Sequence, residues 1–141
     1  MSYLPDAMPL PDPTPDERQY WDFCRQKDLR IQKCGACGTF CHPPSPLCPR
    51  CRSDKITWAK VSGNGTVFTY TVVHHAADPA VKPALPYNIA VVMLEDADDV
   101  RLVSNVIDVA PDDMRIGLPV RLVWEPTRDG GFLPRFRKQT V

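Results

Sequence analysis

The chain has 141 residues, 43% hydrophobic and 24% charged, with 17 basic and 17 acidic side chains that balance to zero. This is the composition of a globular protein with one ordinary domain or two small ones. It excludes a helical membrane span, which needs about 20 consecutive apolar residues, and overall neutrality argues against a nucleic-acid binder.

The opening stretch, MSYLPDAMPLPDPTPDE, lacks the basic start and apolar core of a signal peptide. A cytoplasmic protein is expected, in which cysteines serve more often as metal ligands or catalysts than as disulfides. Residues 1–13 carry four prolines and no periodicity, and are expected to form an extended arm that only a bound partner orders. Next, Thr14 is a good N-cap, Pro15 suits the first helical position, and Glu17 completes a capping box. A helix is predicted from about Pro15 to Lys27. Its apolar face, Tyr20, Trp21, Phe23 and Cys24, requires a groove on this protein or on a partner.

LRIQKC is a short strand that leads into a cysteine cluster, and ITWAKVSG leads out of it. Beyond Gly63 the chain changes character. GTVFTYTVVHHA, YNIAVVMLED, VRLVSNVID, PVRLVWEP and GFLPRFRK are β-branched or aromatic runs separated by glycine, proline and aspartate. APDDMRIG, between the third and fourth runs, reads as a single helical turn. Five short antiparallel strands with that turn fit an OB-fold barrel. The proline-rich connection DPAVKPALP is a surface loop of the kind that carries function. His74 and His75 open this loop, either as barrel-end side chains satisfied by backbone groups or as contacts to a ligand at the barrel mouth. The predicted class is therefore mainly β: an arm over residues 1–13, a helix and rubredoxin-like zinc ribbon over 14–60, and a five-stranded OB-fold over 61–141.

Five of the six cysteines fall within residues 33–51. Cys34, Cys37, Cys48 and Cys51 form two C-x2-C pairs with ten residues between them. Each pair closes a tight turn, with Gly35 and Gly38 supplying backbone freedom, and two facing turns make the tetrahedral sulfur cage that zinc prefers. A cage filled by four cysteines leaves no position for water, so the zinc is structural. It replaces the apolar core that so small a segment cannot build. A redox dithiol would need only one pair, preferably in a βαβ setting, which is absent. Cys41 has no C-x2-C partner and reads as a bystander, and Cys24 reads as buried packing. No motif ties His42, His74 or His75 to either as a general base.

Charge is unevenly spread. From Cys24 to Lys60 there are eight basic and two acidic residues, from Ala76 to Met114 two and eight, and from Arg115 to Val141 six and two. These blocks are either solvated faces or surfaces complementary to a partner or a polyanionic small molecule.

The ordered set YWDFCRQKDLRIQKC, HPPSPLCPRC, VSGNGTVFTYTVVH, PYNIAVVMLED, IGLPVRLVWE and LPRFR resembles the thiolase-associated zinc-ribbon/OB-fold family, known as domain-of-unknown-function family 35, from about Thr14 to Lys138. Ser45 stands where that family often has arginine. The resemblance implies a non-catalytic accessory subunit of a thiolase-superfamily enzyme: a thiolase, a hydroxymethylglutaryl-CoA synthase system, an acyltransferase or an aldolase of steroid side-chain degradation. Such a subunit bridges or stabilises the complex and helps hold the CoA-linked substrate, and some relatives are fused or bound to hydratase-type subunits. The expected ligands are structural Zn2+ and acyl-CoA, and the expected partner is a thiolase-like catalytic subunit. Within that frame Arg135, Arg137 and Lys138 are candidates for the CoA phosphates. Tyr70, Tyr87 and Phe136 are either barrel core, where aromatics on strands more often lie, or candidates for an apolar slot; His74 is a candidate for a ligand contact, and Tyr20, Trp21 and Phe23 for the partner interface. The competing reading is a module for single-stranded nucleic acid, which would need a positive groove with stacking aromatics; the acidic stretch EDADD speaks against it.

Overall fold

The structure, a computed structural model, describes residues 2–140. Helix α1 spans Arg18–Arg25, shorter at both ends than expected. At the start, the Thr14 carbonyl accepts the Glu17 N–H at 3.0 Å, a tight turn rather than a helical one. Only half of the capping box forms, the Glu17 carboxylate accepting the Thr14 N–H at 3.1 Å. At the end, Lys27 takes a left-handed φ of 56° and stops the helix.

The ribbon is a three-stranded antiparallel sheet of order β2-β1-β3, built from β1 (Arg30–Cys34), β2 (Phe40–Cys41) and β3 (Ile56–Lys60). β2 is two residues long and has no signature in the sequence. The remaining strands are β4 (Asn64–Val73), β5 (Tyr87–Leu94), β6 (Arg101–Ser104), β7 (Val106–Ile107), β8 (Pro119–Pro126) and β9 (Phe132–Lys138). Their order is β6-β5-β4-β8-β9-β7, with β7 parallel to β9 and the other pairs antiparallel. The two ends of this order, β6 and β7, are separated in the chain by Asn105 alone, so the sheet must curl round on itself. This is the predicted OB-fold barrel, with one difference: VRLVSNVID is two strands with a corner at Asn105. Buried Asn88 makes the corner. Its Oδ1 accepts the Val106 N–H at 2.8 Å, its Nδ2 donates to the Val106 carbonyl at 2.8 Å, and its own carbonyl accepts from the Asn105 side chain. The loop after β4 contains a 3-10 turn, Pro79–Ala84, capped by Asp78. A second 3-10 turn, Pro111–Asp113, stands where a helical turn was expected.

One apolar cluster runs through the whole molecule. Val67, Ala90, Val92, Val106, Leu118, Val120 and Phe136 fill the barrel, and Val61, Leu29, Ile31, Tyr20 and Cys24 extend the cluster through β1 to α1. The helix therefore fills a groove on this chain. Gly63, at the ribbon–barrel junction, has a φ of 85°, and a Cβ there would lie 2.5 Å from that of Leu122. Only glycine lets the two units approach this closely.

The arm differs from expectation. Residues 2–8 lie on the barrel itself. The Tyr3 hydroxyl accepts from both the backbone and side-chain nitrogens of Asn88 at 2.9 Å, and the Tyr3 N–H donates to Glu125 at 2.9 Å.

Candidate metal centre and adjoining cleft

The four sulfurs of Cys34, Cys37, Cys48 and Cys51 lie within 4.8 Å of one another. The Cys34–Cys51 and Cys37–Cys48 pairs are each 3.6 Å apart. A regular tetrahedron with metal–sulfur bonds of about 2.3 Å has edges of about 3.8 Å, so the donor set fits zinc. The two turns are built alike. Cys34 accepts the N–H groups of Ala36 and Cys37 at 3.3 and 3.4 Å, and Cys48 those of Arg50 and Cys51 at 3.4 and 3.5 Å. Each turn closes through the next residue, whose N–H reaches back to the first cysteine's carbonyl at 3.0 Å: Gly38 in one, Arg52 in the other. Both have left-handed φ, 78° and 64°. Gly35 does not share this geometry; its value is space, since a Cβ there would press on Lys55 and Thr57 at 3.3 Å.

The sulfurs differ in electrostatics. Hydrogen bonding to Thr39, through its hydroxyl first and its backbone second, pulls Cys37 down to about 6. The Cys37 N–H lowers Cys34. At Cys51 the Ser53 backbone group acts in the same direction, but desolvation and the three neighbouring thiols outweigh it and push the group up to about 11. Four thiolates this close repel one another, and a dication is the charge that lets all ionise together. Cys41 lies outside the cage, donating to the Pro43 carbonyl at 3.4 Å. Cys24 is 1% exposed, and burial pushes its thiol up to about 12, so it is a packed, inert group.

Beside the ribbon, a cleft of about 360 Å³ opens between α1, the ribbon loop 42–44 and the barrel. Trp21, Pro43, Leu133 and Pro134 give it apolar walls, and Glu17, His42 and Arg135 add polar groups. A second cleft of about 180 Å³ has Arg18, Arg25 and Phe132 in its lining. Both are lined by Pro11, Pro13, Trp21 and Leu133. His42 packs against Tyr20 with ring centroids 5.0 Å apart. Burial drives its imidazole down to about 4, and its Nδ1 has no partner. Arg135 is 12% exposed at the side chain and pairs with Glu125 at 3.6 Å.

The residues singled out in the sequence are dispersed. Of the CoA candidates only Arg135 reaches the larger cleft. Of the two readings of Phe136, core or open slot, the core one holds: strand alternation puts it opposite Arg135 and fully buried in the barrel. Tyr70 is half-buried, and its hydroxyl donates to the Met114 carbonyl at 2.9 Å. Tyr87 is half-buried at the start of β5, and His74 is exposed just past β4. Arg137 pairs with Asp108 at 2.7 Å, and Lys138 is exposed at the end of β9. Of the interface candidates, Tyr20 is 5% exposed and belongs to this chain's own core. Trp21 packs edge-on against Tyr20 at 5.1 Å and Phe23 leans on Trp58 at 5.5 Å; both are half-buried, and Trp21 lines both clefts. Sequence reasoning missed His42 and Leu133; the proline clustering around His42 was the available signal. Ser45 is pinned by buried Gln32, which accepts its N–H at 3.0 Å and donates to its carbonyl at 2.7 Å.

Residues 21–57 match the domain described as ChsH2, rubredoxin-like zinc ribbon domain, and residues 58–125 match ChsH2, C-terminal OB-fold domain. A DUF35 domain-containing scaffold protein of Methanocaldococcus jannaschii is 37% identical over 70% of this chain and 69% of its own length. The chain belongs to the ChsH2/DUF35 zinc-ribbon and OB-fold family. A probable enoyl-CoA hydratase alpha subunit of Thermomonospora curvata is 39% identical over 92% of this chain, which spans 39% of that relative's length. Among solved structures, one described as Ltp2-ChsH2(DUF35) aldolase superposes with a TM-score of 0.83 at 38% identity, covering 92% of this chain and 98% of that one. Among the described residues of this DUF35 protein, no helix is long and apolar enough to cross a membrane.

Proposed function

We propose that this DUF35 protein is an accessory subunit without chemistry of its own, which docks on a catalytic subunit of the aldolase, thiolase or hydratase type and helps hold a CoA thioester. The observation that carries the reading is the match over 98% of a chain in the Ltp2-ChsH2(DUF35) aldolase structure. The hydratase alpha subunit that this chain resembles adds support for a CoA-linked substrate and for a hydratase-type partner. The site chemistry agrees. Four cysteines close the metal site, so it offers no place for a water or a substrate oxygen. The cleft beside α1 suits the thin apolar part of an acyl-pantetheine chain, with the Arg135 guanidinium at its wall. Arg137, Lys138, His74 and Tyr87 remain proposed contacts for the rest of the ligand.

The test is calorimetry with CoA and octanoyl-CoA on the chain alone and on the chain co-purified with a thiolase- or hydratase-type subunit from its own host. Co-purification and heat with acyl-CoA are expected. Turnover of acyl-CoA by the rigorously purified chain alone would overturn the reading. So would the absence of any stable catalytic partner.

A further inference from the structure

The clefts share a wall that belongs to neither the ribbon nor the barrel. Pro11 and Pro13 line both, Asp12 lines the larger and Leu10 the smaller. These residues lie in a span fixed at its two ends. On one side is the turn into α1. On the other is a latch formed by residues 2–8. Arg128, in the β8–β9 loop, donates to the backbone carbonyls of Asp6 and Met8, the latter at 3.0 Å. Glu125 accepts the Tyr3 N–H while its other oxygen pairs with Arg135, so the latch and the cleft wall meet on one carboxylate. The Tyr3 hydroxyl occupies the place where the β-ladder runs out. The last β5–β6 pair is Ala90 with Ser104, and two residues earlier the outward N–H of Asn88 would face nothing. Tyr3 supplies its acceptor instead.

Between these anchors, among the described residues, no hydrogen bond ties residues 9–13 to the ribbon or the barrel. Three of those five are prolines, which have no N–H to give and keep the span stiff and extended. A stiff segment held at one end by a few polar contacts, and lying over a cleft without bonds of its own, moves as a unit when those contacts release.

We propose that residues 2–13 are a strap that gates the cleft, with Tyr3 and Arg128 as its latch. In the latched state the prolines roof the cleft, and release of Tyr3 from Asn88 admits or frees the ligand. The gate rests on the reading of the cleft as an acyl-CoA site. It goes beyond that reading by assigning the arm a place on this chain and a control over exchange.

The test uses the full chain with octanoyl-CoA as the probe, followed by stopped-flow tryptophan fluorescence, Trp21 being in the cleft wall. Tyr3→Phe and, separately, Arg128→Ala are expected to raise the association rate about tenfold or more. Arg128 is exposed, so its variant keeps the core intact if the loss of the Tyr3 hydroxyl harms folding. In the unaltered chain the Asn88 amide is expected to exchange with solvent at least about tenfold faster than that of Ala90, because opening the strap exposes the first and not the second. Octanoyl-CoA binding with equal rates in all three proteins would overturn the gate and leave the proposed function standing. Asn88 and Ala90 amides exchanging at the same rate would also overturn it. No binding to any of the three would overturn the gate together with the reading of the cleft as an acyl-CoA site.

Discussion

The ribbon and the barrel are two answers to the same problem. The barrel encloses Phe136, Leu118, Val67, Val92 and Val120, all at most 1% exposed. The ribbon buries Ile31, Gln32, Cys34 and Cys48, and Ile31 belongs to the shared cluster rather than to a core of the ribbon's own. What the ribbon lacks in apolar area, coordination replaces. The barrel's stability is spread over many contacts and declines by degrees, whereas the ribbon's is concentrated at one point. The cleft lies along the seam, walled by α1, the ribbon loop and the barrel, so its shape depends on both kinds of stability at once.

The sharpest way to break the comparison is to remove the metal. One zinc per chain is expected by metal analysis of freshly prepared, reduced protein. Apparent binding free energies for such sites are on the order of 10–16 kcal/mol, so a strong chelator or Cys34→Ser should unfold residues 30–60. Amide exchange would show this as loss of protection in β1 and β3 while the central barrel strands keep theirs. Equal loss in both regions would mean that the barrel leans on the cage as well. A smaller effect is expected from Phe136→Ala, which removes a fully buried ring and should cost about 3–5 kcal/mol in chemical denaturation without changing the zinc content.

The smallest of the three effects concerns the seam. Burial holds His42 neutral down to about pH 4, against an ordinary value of 6.5. The unfolded chain takes up its proton first, so the folded state loses stability as pH falls from about 6.5 to about 4. The full loss is roughly 3 kcal/mol, each tenfold change in proton affinity being worth about 1.4 kcal/mol. His42→Phe should flatten that part of the pH–stability curve relative to the unaltered chain, which also controls for acid release of the metal. Parallel curves would show that His42 does not carry the effect.

The features legible in the sequence are those that depend on near neighbours. The C-x2-C spacing specifies the cage because each turn is closed within five residues. The strands of the barrel announce themselves by β-branched runs. The corner at Asn105 is not legible, because Asn88, 17 residues earlier in the chain, makes it. The helix face reads correctly as apolar, but the sequence does not show that Tyr20 is the aromatic sealed in, against His42, while Trp21 and Phe23 stay half-buried. Phe136 stays undecided between core and slot for the same reason: its run, GFLPRFRK, shows the strand but not which side of it faces inward. The arm reads as awaiting a partner because proline-rich composition reveals stiffness but not the Asn88 and Glu125 groups that receive Tyr3.

The cage is exposed on one side only. Cys34 and Cys48 are 7% and 4% exposed, whereas Cys37 and Cys51 face solvent. An electrophile or oxidant arriving from outside therefore meets the second sulfur of each turn before the first. Dismantling starts with one outer ligand from either half, while the sheltered pair still grips the ion from within.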